Sequence, residues 1–100
     1  MIMFGIYDLK GEYFFAPFFE RSEETAIRVL SVQFAEDSFL AKYPEDFVLY
    51  KLAKFDAQSG AVTECEKIRV CRIDEIYNQV KKRDYYSIPK DKPEGDDKIV

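Results

Sequence analysis

The sequence predicts a single α+β domain: two β-hairpins flanking a central amphipathic helix, one antiparallel sheet and a short C-terminal helix. Three observations carry this. Aromatic and β-branched runs come in pairs, one broken by Lys10-Gly11 and the other by Asp56-Ala57-Gln58-Ser59-Gly60. The segment between the pairs repeats its apolar residues at three- and four-residue intervals. One hundred residues, 47% of them apolar, suffice for one core and not for two.

The first pair covers residues 3–9 and 12–20, with Gly11 as the residue expected to take the positive φ of the reversal. Turns of several lengths fit Asp8-Leu9-Lys10-Gly11-Glu12, so the register stays open. Pro17 removes a ladder donor inside the second run, which places that strand at an edge or at a bulge. Ser22 then caps a helix whose first turn carries Glu23 and Glu24, where carboxylates complement the positive end of the dipole. Ile27, Leu30 and Phe34 form its stripe, widened by Ala26 and Val29. The helix is expected to fray through Glu36-Asp37-Ser38, with Phe39 and Leu40 packing beneath the loop that follows.

Pro44 cannot continue a helix and moves Tyr43 out of the helical region, so a helix-to-strand junction falls here. Residues 47–55 restart as a strand, residues 56–60 turn with Gly60 as the left-handed position, and residues 61–72 return. Strict alternation on that return puts Ile68 and Val70 on one face and Lys67, Arg69 and Cys71 on the other. Asp74-Glu75 opens the second helix, with Ile73, Ile76, Tyr77 and Val80 on one side and Lys81-Lys82-Arg83 at its end. The domain is expected to span residues 1–86. Residues 87–100, polar with two prolines and a glycine, read as a loose tail. No internal repeat is apparent.

The chain has no histidine, which removes the commonest general base and metal ligand. Its four glycines are scattered, so no phosphate-cradling loop exists. Cys65 and Cys71 are six positions apart, about 20 Å along one extended strand, which predicts buried or half-buried free thiols rather than a disulfide. Adjacent acids such as Glu45-Asp46 and Asp74-Glu75 are explained by a turn and a helix start. The expectation is therefore a protein that is not an enzyme and uses no cofactor or metal. No apolar span approaches twenty residues and Met1-Ile2-Met3-Phe4 is no basic leader, which predicts a cytoplasmic location without membrane contact.

Net charge is −4, unevenly spread. Residues 1–47 carry four basic against nine acidic side chains, whereas residues 48–90 carry nine against six. The second half is the candidate anion-facing surface. There aromatics and cations interleave as single-strand binding requires, rings stacking on bases and cations meeting phosphates. The candidates are Tyr50, Lys51 and Lys54, then Lys67, Arg69 and Arg72, then Lys81, Lys82, Arg83 and Tyr85, with Phe55 and Tyr86 beside them. The competing reading is an interaction module. Sixteen aromatics in a small domain need not all be hidden, and an exposed apolar patch marks a partner or a homodimer seam.

Leu40-Ala41-Lys42-Tyr43-Pro44-Glu45-Asp46-Phe47, Leu49-Tyr50, Phe55-Asp56 and Gly60 resemble, in residues and spacing, the small non-virion protein family of gokushoviruses, microviruses with single-stranded DNA genomes. Glu12-Tyr13-Phe14, Ala16-Pro17-Phe18-Phe19 and Glu24-Thr25-Ala26-Ile27-Arg28 extend the likeness. Ala53 stands where relatives often have glycine, Ser59 replaces a common threonine, and the match weakens after Gly60. The resemblance implies a nonstructural phage accessory protein in the cytoplasm of an infected bacterium, acting in viral single-stranded DNA synthesis or packaging. It leaves two mechanisms open: binding of single-stranded DNA, or binding of the replication initiator or procapsid without touching DNA.

Overall fold

Two nearly continuous apolar runs become the central strands of one sheet, with consecutive buried residues in each. In chain order the computed structural model shows β1 (Ile2–Asp8), β2 (Tyr13–Phe14), β3 (Phe18–Glu20), α1 (Glu23–Gln33), α2 (Phe39–Lys42), a 3-10 turn (Pro44–Asp46), β4 (Phe47–Phe55), β5 (Val62–Thr63) and β6 (Ile68–Arg72). A further helix, α3, runs over residues 73–79. The structure describes residues 1–33 and 39–79. Phe34, Val80, Lys81, Lys82, Arg83, Tyr85, Tyr86 and the expected tail lie outside them.

β1 and β4 pair antiparallel down the middle, with Ile6 opposite Leu49 and Asp8 opposite Phe47. β2 and β3 share the outer edge of β1, and β5 and β6 share the outer edge of β4. The sheet is antiparallel and mixed with helices, the α+β class expected. Each return strand is in two pieces; the first, expected at an edge or at a bulge because of Pro17, does lie at the sheet edge, while the second was expected to run unbroken. The first breaks at Ala16-Pro17, where proline cannot donate to the ladder, and the second between Thr63 and Ile68, where Glu64 takes a φ of 50°.

The broken strands reveal a duplication of architecture that residue identities hide. Residues 2–33 and 47–79 each run strand, turn, broken return strand, helix. Both turns are organised by an aspartate. Asp8 Oδ1 accepts from Lys10 N (3.0 Å) and Gly11 N (3.1 Å), while Glu12 N donates to the Asp8 carbonyl at 2.7 Å. Asp56 Oδ1 accepts from Gln58 N (2.9 Å), and Gly60 N donates to the Asp56 carbonyl at 2.7 Å. The Gln58 and Ser59 hydrogen bonds hold the Asp56 carboxyl below its ordinary range. Gly60 is left-handed as expected (φ 80°), but in the first turn Glu12 takes that conformation (φ 60°), not Gly11. Gly11 bears on the turn in another way: a Cβ there would lie 2.5 Å from the exposed Tyr13 ring, which would have to move aside.

Both helices cover the same sheet face. Phe4 and Ile6 of β1 and Phe47 and Leu49 of β4 pack with Ala26 and Leu30 of α1, Leu40 of α2, and Ile73 and Ile76 of α3. Phe4, Leu30, Leu49 and Ile73 are fully buried, each stabilising the fold by about 1.5–3 kcal/mol. Ser22 caps α1 as expected: its Oγ accepts from Thr25 N (3.2 Å), and Ser22 N donates to Thr25 Oγ1 (3.2 Å), a reciprocal box closed by threonine. Leu40 is buried, but Phe39 is 69% exposed instead of packing beneath the loop, because α2 is a single turn that turns only one of the two inward.

Candidate nucleic-acid interface

In an antiparallel pair, directly opposite residues share a face, so the register sorts every candidate. Leu49 opposite Cys71 and Phe4 opposite Lys51 belong to the helix-covered face. Gly5 opposite Tyr50, Tyr7 opposite Phe14, Tyr50 opposite Arg69 and Val48 opposite Arg72 belong to the other. No described helix packs on that second face.

Two bulges set what each face carries. Met3 pairs with Ala53 and Phe4 with Lys51, so Leu52 is the extra residue on β4; Leu49 pairs with Cys71 and Tyr50 with Arg69, so Val70 is the extra residue on β6. The second bulge corrects the alternation expected for the return strand: Val70 and Cys71 both pack toward the core, and Arg69 and Arg72 share the open face. Burial pushes the Cys71 thiol up to about 11, with Glu75 adding to the rise. Both thiols are free, but Cys65 is exposed rather than buried, since the chain around it leaves the sheet between β5 and β6.

On the open face the Tyr7 and Phe14 rings lie 4.9 Å apart and the Phe14 and Tyr50 rings 5.6 Å apart at 70°, edge to face. The Lys67 ammonium sits over both, 5.2 Å from the Tyr50 centroid and 5.8 Å from that of Phe14. Leu52 lies across Gly5, where a Cβ would meet its Cδ1 at 2.7 Å and Phe14 at 3.2 Å. Glycine is what lets these side chains lie close to the sheet.

The other candidate cations among the described residues, Lys51, Lys54, Arg69 and Arg72, are partnered by carboxylates. Arg72 is held in a fork by Asp74 (Nε–Oδ1 2.8 Å, Nη2–Oδ2 2.7 Å), which raises the guanidinium and lowers the carboxyl. Arg69 Nη2 lies 3.7 Å from Glu75 Oε2. Lys51 reaches Glu23 at the start of α1 (3.0 Å), and Lys54 reaches Glu64 (3.5 Å). The structure thus brings Tyr50, Lys67, Arg69 and Arg72 together and places Lys51 and Lys54 with the helix-face residues Phe4 and Ile2. Tyr7 and Phe14 were missed as partners. Their signal was the aromatic on each side of the first turn, unreadable while the length of that turn was open.

Among the described residues no cluster of three His, Cys, Asp or Glu side chains is placed to hold a metal ion, and no helix is long and apolar enough to cross a membrane. No curated protein and no solved structure matches the chain. Residues 1–76 match the model of the family described as "Phage ORF5 protein", from the first strand through the residues that carry the open face. The chain therefore belongs to the Phage ORF5 protein family, and is a bacteriophage protein.

Proposed function

We propose that this phage protein binds single-stranded DNA on its open sheet face and acts, without chemistry of its own, in viral single-stranded DNA synthesis or packaging. The observation that carries this is the Phe14, Tyr50 and Lys67 constellation: two rings at 70° and an ammonium over them, with Arg69 and Arg72 alongside. A base stacking on Tyr50 would displace the Lys67 ammonium toward a phosphate, exchanging one cation–ring contact for stacking plus a charge pair. The finer placement, in the gokushovirus branch of the microviruses, rests on the spacing of Tyr43-Pro44-Glu45-Asp46-Phe47, Leu49-Tyr50 and Phe55-Asp56.

The test is a salt titration with labelled oligothymidylate, read by fluorescence anisotropy. Lys67 and Arg69, the cations of this face not gripped by both oxygens of a carboxylate as Arg72 is, predict that log affinity falls against log salt with a slope of about −1.4. Binding absent at low salt would contradict the proposal and favour the second reading, an adaptor for the replication initiator or procapsid, or a homodimer. That reading has its own observation: Val32, Phe39 and Tyr43, on or beside α1 and α2, are 64%, 69% and 48% exposed.

A further inference from the structure

The open face carries a second pair of rings at its far end. Phe19 lies opposite Met3 on β3, and Phe55, whose N–H donates to the Met1 carbonyl (2.9 Å), ends β4. Their centroids are 5.1 Å apart at 51°, and Phe19 is 37% exposed. Neither joins the core cluster, and neither do Tyr7, Phe14 and Tyr50. The bulge at Leu52 is what returns Phe55 to this face, because it offsets the alternation between Tyr50 and Phe55 by one residue.

We infer that Phe19 and Phe55 form a second base-stacking station on the same single strand, so that the face reads a short strand rather than one nucleotide. This rests on the single-strand reading above. The first station is centred on the Gly5 to Tyr7 rows of β1 and the second on the Met1 to Met3 rows, four residues away, or about 14 Å. A fully stacked strand covers that span in about four base steps of about 3.4 Å each, and an extended strand in fewer. Adjacent stacked bases cannot occupy both stations. The stretch between them is apolar, with Met3 and Leu52 half-buried over a buried Ala53, so Met3 and Leu52 offer contact to base faces and no further charge. Lys67, Arg69 and Arg72 stand at the first station, whereas at the second the Met1 ammonium donates to the Phe55 carbonyl (3.1 Å). The rings of the second station carry no charge of their own and therefore add affinity with little added salt dependence.

The test compares oligothymidylates of two, four, six and ten nucleotides against the full chain, the double variant Phe19→Leu/Phe55→Leu, and Tyr50→Leu. Leucine keeps apolar bulk while removing the ring, and thermal melting verifies that each variant is folded. For the unaltered chain, affinity climbs steeply between two and six nucleotides. In the double variant the loss is about fivefold or more at six and ten nucleotides and less than twofold at two, with an unchanged salt slope. Tyr50→Leu weakens every length. The inference is overturned if the double variant keeps the length profile of the parent, or if it loses affinity equally at all lengths, or if its main effect is on oligomeric state. Failure of the unaltered chain to bind any length would instead overturn the single-strand reading itself.

Discussion

Arg69 and Arg72 show how residues that look alike in sequence differ once their partners are known. Arg72 is gripped by both oxygens of Asp74, whereas the Arg69 contact with Glu75 is a single longer one, and both Arg69 and Glu75 are about half exposed. A phosphate arriving at this face competes with the two carboxylates that open α3. The Glu75 contact is the one that yields, since an exposed pair of this kind contributes about 0.2–1 kcal/mol. Glu75→Gln is therefore expected to strengthen oligonucleotide binding about twofold to fivefold, while Lys67→Gln weakens it, both measured by anisotropy at fixed low salt. Weaker binding in Glu75→Gln would show that Glu75 orients Arg69 rather than occupying it. The interleaving of Tyr50, Lys67, Arg69 and Arg72 was legible as residue types. Alternation from Tyr50 already sends Lys51 to the opposite face, but that Lys54 lies there too was not legible, because one extra residue at Leu52 reverses the parity of everything beyond it.

Among the elements, α1 has a start that sequence alone identifies: Ser22 followed by acids and a stripe of Ala26, Ile27 and Leu30. Its cap is the one local device that satisfies both a helix N–H and the backbone N–H of Ser22 itself. Ser22→Ala is expected to cost about 1 kcal/mol of stability, measured by urea unfolding at neutral pH. A cost near zero would mean that burial of Ala26 and Leu30 alone holds the helix end. β4 is equally legible, matching residues 47–55 from end to end, because Pro44 stops what precedes it and Asp56 organises the turn that follows. The return strands were less so. Their breaks lie at Pro17, which has a local signature, and at Glu64, which has none; a positive φ on glutamate is imposed by the surrounding sheet rather than announced by the residue. The same limit hid the left-handed Glu12 behind its neighbour Gly11.

At the scale of the whole molecule, two strand-turn-strand-helix units meet along β1 and β4 and place both helices on one face. The consequence is a sheet with a packed side and an aromatic, cation-rimmed side. Composition foretold many aromatics and a basic surplus in residues 48–90, and pattern foretold the α+β class. Neither could assign rings to faces, since that depends on register, turn length and two bulges that no residue type encodes. The central claim is that the exposed side of the sheet, not the helices, meets single-stranded DNA. It is tested most directly by titrating the isotopically labelled chain with a ten-nucleotide oligothymidylate and following side-chain and backbone resonances by NMR. The account predicts that shifts concentrate on Tyr7, Phe14, Tyr50, Leu52, Lys67 and Arg69, and spread to Phe19 and Phe55. Shifts confined to Val29, Val32, Phe39 and Tyr43, or none at any concentration, would contradict it.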